Sequence, residues 1–163
     1  SPPLLHSFKS FGYVSLMPMM MRLLPPSSPQ LGSVLALLSS DGDGRRLWTK
    51  YGLRSLSKSD LFYGQGNAPG DKPYWRGPIW MNMNYLALSG LHFYAHAEGP
   101  WQSLALNRYT ALRKNLVNNV LKEWTRTGYL WEQYSEKSGR GQRSRPFSGW
   151  TALVAAIATE SYY

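Results

Sequence analysis

IWMNMNYLALSGLHFYAHA, residues 79–97, decides the fold class. Ile79, Met83, Leu86, Gly90, Leu91 and Tyr94 recur at helical spacing and trace one face, which predicts an α-helix. The opposite side, with Leu88 and Phe93, is hardly polar, and a helix apolar nearly all round is buried on most sides. Downstream, Glu98-Gly99-Pro100 ends that helix. A longer amphipathic one is expected from about Trp101 to Thr127, with Leu104, Tyr109, Leu112, Leu116, Val120 and Trp124 inside. Gly128 stands where a helix stop belongs. Thr151 to Ser161 reads as a last helix burying Leu153, Val154, Ala156 and Ile157.

Upstream, Ser15 is expected to cap a helix that tolerates Pro18 in its first turn and ends at Leu24, before Pro25-Pro26. Pro29 opens a second helix, Gln30 to Leu38, which SSDGDG (39–44), with turn-forming Asp41 and Asp43, terminates. Residues 45–78 carry no sustained period and eight Gly or Pro residues, so a long loop is expected, with a short strand pair near Leu61 to Tyr63. No internal repeat is visible. The expectation is an all-α chain of about five helices with long aromatic loops. Five helices with one nearly all-apolar member do not close a shell around themselves, which implies a piece of a larger helical assembly.

Composition narrows the function. With 43% hydrophobic and 17% charged residues in 163, the chain is globular. The most apolar run, VSLMPMMMRLL (14–24), is too short for a membrane span and is broken by Pro18 and Arg22. The start shows no signal-peptide pattern, and its lack of an initiator methionine suggests a cut end. No cysteine is present, which removes thiol, disulfide and zinc–thiolate chemistry. The net charge of +9 invites a nucleic-acid reading, but the basic residues are dispersed, as on a solvated surface. Seven Trp and eleven Tyr point elsewhere, since flat aromatic faces suit the C–H faces of sugars or stacked bases.

Four aromatic or glycine-rich clusters stand out: LFYGQG (61–66), YWRGPIW (74–80), GYLWEQYS (128–135) and RPFSGW (145–150). If their loops meet at one end of a helical barrel, Tyr63, Tyr74, Trp75, Trp80, Trp131, Tyr134, Phe147 and Trp150 line one groove. Arg76, Gln65, Gln133 and Glu132 are its polar members. The competing reading of any one aromatic is ordinary core packing. Among nine acidic residues, only Glu132 lies inside an aromatic cluster; the alternative for it is pairing with Arg76 or Arg145. Asp71 is the next candidate, against a simple loop hydrogen bond. Glu123 falls on a helix beside Lys122 and Arg126. His92 and His96, spaced i, i+4, lack a third ligand, and with His6 they form no metal set. Phosphate-loop, dinucleotide and Ser-His-Asp signatures are missing. No cofactor is expected.

The strings YWRGPIWMNMNYLALSGLHFYA, LWEQYSEKSGRG and RPFSGWTALV, with FGYVSLMPMMMRLL and YGLRSLSKSDLFYGQ before them, resemble the C-terminal part of processing α-glucosidase I, the mannosyl-oligosaccharide glucosidase family. The likeness runs in order along residues 11–162. It implies that residues 1–163 are the C-terminal portion of an (α/α)6 catalytic toroid of an inverting, endoplasmic-reticulum α-glucosidase. That enzyme removes the outermost α-1,2-linked glucose from the triglucosylated N-glycan precursor. The resemblance implies that Glu132 is the general base, and that Trp75 and Arg76 belong to a substrate-lining motif. Trp131 and Tyr134 are then expected to wall the sugar site, with SGRGQR (138–143) as a mobile turn over it. The family's general acid lies in a GLDDYPR-like motif that this chain does not contain, so the remainder of the enzyme is an expected partner. Two other classes stay open: an inactive carbohydrate-binding or structural fragment, and a single-stranded nucleic-acid binder using SGRGQRSR.

Overall fold

The structure, a computed structural model, describes residues 10–39 and 46–162. The SSDGDG turn beyond Ser39, Arg45 and His6 lie outside the described residues. The predicted all-apolar helix is α3, Met81–His96, and the amphipathic one is α4, Gln102–Thr127. The short connection through Glu98-Gly99-Pro100 makes them an αα-hairpin, the main helix pair of the chain. Gly128 adopts the left-handed conformation, φ 74°, that closes α4, where a residue without Cβ meets no steric penalty. The buried face of α3 runs through Asn84, Ala87, Leu88, Leu91 and Tyr94, rotated from the expected one; Met83 and Leu86 are half-buried, and Ile79 precedes the helix in extended backbone.

The remaining helices are short. α1 (Met17–Met20) follows a 3-10 turn, Tyr13–Leu16, and two residues beyond its end Arg22 takes a left-handed φ of 58°. The expected helix to Leu24 is therefore a single turn, and Ser15 accepts from the Gly12 amide without capping it. α2 (Pro29–Leu37) starts as predicted, with Ser28 Oγ accepting from Leu31 N. α5 (Leu153–Ala158), entered by a 3-10 turn at Trp150–Ala152, packs on both α3 and α4; Ile157 alone of its predicted face is fully buried.

Two hairpins interrupt the helices. The strand pair lies at β1 (Trp48–Thr49) and β2 (Gly52–Leu53), not near Leu61 to Tyr63, where the chain makes turns. The second, β3 (Gln133–Tyr134) with β4 (Gly141–Gln142), is antiparallel, in the register Gln133↔Gln142. Ile79 joins the two, bridging Arg54 on one side and Tyr134 on the other.

A buried polar node fastens these layers. Asn84 Oδ1 accepts from Leu53 N at 2.8 Å, while its Nδ2 donates to Leu53 O, Trp80 O and the Tyr13 hydroxyl. The Tyr13 hydroxyl donates in turn to Leu53 O at 2.6 Å and accepts from Trp80 N. Burial pushes the Tyr13 phenol well above its ordinary value, although the Trp80 and Asn84 bonds oppose this. A second clamp is Glu123 on α4, only 3% exposed. It takes a fork from Arg126, a hydrogen bond from Gly141 N at 3.0 Å, and the charge of Arg140 at 3.7 Å. Trp124, expected inside, is 52% exposed instead, because the helix turns Glu123 inward.

Removing members of the node should show their interdependence. Asn84→Ala should destabilise the fold by about 3 kcal/mol and Tyr13→Phe by about 1–2 kcal/mol, with the double variant costing less than the sum, measured by denaturant unfolding. At the second clamp, the Arg126 hydrogen bonds, outweighing burial, hold the Glu123 carboxyl below its ordinary range. Its stabilisation is thus present above the ordinary carboxylate value and lost as pH falls through the folded one. Glu123→Gln should cost about 2–3 kcal/mol near neutrality and flatten that part of the acid unfolding curve.

Candidate active site

The site is built where Ile79 pairs with Tyr134, since this ladder sets the YWRGPIW segment beside the strand carrying Glu132. Trp80 is fully buried at its centre. The ring of Trp75 stacks on it at 4.0 Å and 13°, Tyr74 meets it edge-on at 4.7 Å, and Trp150 leans against it at 5.5 Å. Phe147 packs on Trp150 at 4.7 Å. Trp75 is 46% exposed, so its outer face is free to meet a ring. The Trp80 indole donates to Tyr74 O at 3.0 Å, which fixes the Tyr74 backbone.

Glu132 lies within this cluster, 8% exposed. Its Oε1 accepts a short hydrogen bond from the Tyr74 hydroxyl and its Oε2 one from Ser144 N at 3.3 Å. The Trp150 indole donates to its carbonyl at 2.6 Å, and its amide bonds Ser144 O. Burial raises the carboxyl's pKa, but the Tyr74 hydroxyl, Ser144 and the positive Arg143 outweigh it, leaving the net value lowered and the group ionised. Arg143 lies over the Tyr74 ring at 5.0 Å and donates to the carbonyls of Lys72 and Pro73. No ion pair to Glu132 forms among the described residues, so the alternative of a locked acid–arginine pair is not what holds it. The arrangement is an ionised, oriented carboxylate beside stacked aromatic faces.

Tyr74, Trp75, Phe147, Trp150 and Glu132 are thus brought together as expected from the loops, around Trp80, which is wholly buried beneath them and lines no groove. Three other candidates are not. Tyr134 is 1% exposed and belongs to the core, its hydroxyl accepting from Trp131 N. Trp131 lies under the β3–β4 hairpin, where a Cβ on Gly141 would collide with its ring, and its indole donates to Thr127 Oγ1. Trp131 therefore packs beneath the hairpin and Tyr134 fills the core, so neither presents a free face to a sugar. Arg76 sits over Phe62 and donates to Gly66 O at 2.8 Å, pinning its own loop. Gln65 caps Leu61 O, and Asp71 accepts from Ala68 N, the simple loop bond. The 138–143 turn is not loose: Ser135 Oγ accepts from Lys137 N and Ser138 N, and Glu123 holds Gly141. Its arginines, with Arg145 over Trp131 at 4.8 Å, are engaged within the fold.

Sequence reasoning missed Ser144, whose amide completes the Glu132 clasp; backbone donors leave no residue-type signal. It also missed the cleft beside the clasp, about 440 Å³, lined by Lys72, Gln133, Glu136 and Gln142 among others. Among the described residues no cluster of His, Asp and Glu is arranged to hold a metal ion.

Residues 2–160 match the glycosyl hydrolase family 63 C-terminal domain. The chain is 49% identical over 152 residues to a probable mannosyl-oligosaccharide glucosidase of Schizosaccharomyces pombe, covering 93% of this chain and 18% of that protein. It is 46% identical over 160 residues to the mannosyl-oligosaccharide glucosidase GCS1 of Arabidopsis thaliana, covering 98% of this chain and 18% of that protein. The chain thus spans under a fifth of the length of these curated relatives. Its fold superposes on a family 63 mannosylglycerate hydrolase from Thermus thermophilus, solved in complex with glucose, with a TM-score of 0.59 and 25% identity, over 93% of this chain and 32% of that one. Helical order, aromatic loops and sequence match agree: the chain belongs to glycosyl hydrolase family 63, as its C-terminal domain, and its helices form part of an (α/α)6 toroid.

Proposed function

We propose that this domain supplies the general-base half of an inverting α-glucosidase, with Glu132 as the base and the terminal α-1,2-linked glucose of the triglucosylated N-glycan precursor as the unit released. The observation that carries this reading is the Glu132 clasp: a buried carboxylate kept ionised by Tyr74 and Ser144, beside the stacked pair Trp75 and Trp80. In the proposed reaction Glu132 takes a proton from a water as that water attacks the anomeric carbon. A second carboxyl, on the far side of the bond, protonates the departing oxygen. Such a pair stands about 6.5–9.5 Å apart to leave room for the water. The second carboxyl and the remaining helices come from the part of the enzyme outside this chain, and the reaction needs neither metal nor cofactor. The substrate assigned here places the enzyme in the endoplasmic reticulum.

In the full-length enzyme carrying this domain, Glu132→Gln should lower kcat on a triglucosylated glycan about 10³-fold. Proton NMR of the first turnover by the unaltered enzyme should show β-glucose; α-glucose appearing first would defeat the inverting assignment. Tyr74→Phe removes a donor to the ionised carboxylate, so the Glu132 pKa rises. The acid limb of the kcat/KM profile should therefore move to higher pH, with less change in kcat at the alkaline side.

A further inference from the structure

We propose that the cleft between the 64–78 loop and the β3–β4 hairpin is a second sugar-binding subsite, in which Gln133, Glu136 and Gln142 hydrogen-bond hydroxyls on the leaving-group side of the scissile bond. This rests on the α-glucosidase reading above. An enzyme that removes a terminal glucose places one ring at the cleaved bond, and every further ring must lie on the leaving-group side. The cleft adjoins the Glu132 clasp through Arg143, which borders the cleft while lying over the ring of Tyr74, the donor to Glu132.

Its volume of about 440 Å³ falls within the range of small-molecule clefts, about 300–1,000 Å³. Gln133 lines it, is only 1% exposed, and its Oε1 has no hydrogen-bond partner among the described residues. A buried acceptor left without a donor costs about 1–3 kcal/mol, so such an atom beside a cleft points to a donor that arrives with a ligand. Glu136 is preset. Its Oε1 accepts from the Tyr63 hydroxyl at 2.6 Å, and the positive charge of Arg54, itself 4% exposed, lies behind this pair. One of its oxygens remains for a ligand.

The lining chooses the ligand class. A hydroxyl both donates and accepts, so it can serve Gln133 Oε1 and Glu136 as acceptors and Lys72 and Gln142 as donors. An anion would be drawn by Lys72, Lys137 and Arg143 but would leave Gln133 Oε1 without a donor, and Arg143 already spends an Nη2 on the carbonyls of Lys72 and Pro73. A nucleobase would find no stacking face, for no aromatic ring among the described residues lines the cleft. Pro73 and Pro78 offer instead small apolar surfaces to the C–H side of a pyranose.

The test compares the full-length enzyme with Glu136→Gln, which keeps an acceptor for Tyr63, and with the Lys72→Ala/Gln142→Ala double variant. Substrates are a triglucosylated glycan and an aryl α-glucoside that carries no further ring. Losing one or two hydroxyl contacts should raise KM for the glycan about tenfold in each variant. Turnover of the aryl glucoside should not change. Equal losses on both substrates would mean a structural role, and no loss on either would mean no subsite; each overturns the proposal. Should the unaltered enzyme release glucose from neither substrate, the α-glucosidase reading fails by itself. Calorimetric titration with an α-linked triglucoside then decides the subsite: weaker binding in both variants supports it, and absent or unchanged binding ends it.

Discussion

The side chain of Asn84 holds the rest in place. Four hydrogen bonds from one buried amide, shared with the Tyr13 hydroxyl, join the first helical turn, the β1–β2 hairpin and the entry to α3. Nothing apolar could do this, because dispersion contacts have no direction, whereas each of these bonds fixes a backbone group in angle and register. The node costs desolvation of an amide and a phenol, and it is tolerable because every member is satisfied. Its position matters for the site. It anchors Trp80 N and O, and Trp80 is the floor on which Trp75, Tyr74 and Trp150 are arranged.

From that floor the chemistry is a matter of small restraints acting on one carboxylate. Tyr74 is held by the Trp80 indole, Arg143 covers its ring, and its hydroxyl reaches Glu132. Trp150 and Ser144 hold the backbone and second oxygen of the same residue. Each restraint comes from a different stretch of chain, so Glu132 is oriented only when those loops are assembled. Such support by neighbours whose own rotamers are locked is what keeps a reacting group within fractions of an ångström.

How much of this was legible in the sequence differs by residue for physical reasons. α3 and α4 declared themselves through long periodic runs and the Gly128 stop, since length averages out single-residue noise. The aromatic cluster around Glu132 was legible because tryptophans are rare and concentrated in a few loops. The rotation of α3 was not, because a helix apolar on all sides has no preferred face, and the deciding residue, Asn84, counts against burial in any hydropathy pattern. The burial of Glu123 was not legible for the converse reason. A carboxylate beside Lys122 and Arg126 looks solvated, and the Gly141 amide and Arg140, which hold it together with Arg126, are distant in sequence. Trp131 and Tyr134 shared the composition of a pocket wall, but residue type does not report burial, and both are covered by the fold.

Ile79 carries a consequence for how the domain moves. Its amide and carbonyl both pair with Tyr134, at 2.8 and 3.0 Å, and the same residue bridges Arg54 in the other hairpin. A single residue therefore splices two hairpins into one narrow ribbon that crosses beneath the carboxylate. Any breathing that loosens Glu132 must unzip this splice as well, so solvent access to the Ile79 amide and disorder at position 132 belong to the same opening event. The carboxylate at position 132 is thus tied to a seam that spans both hairpins.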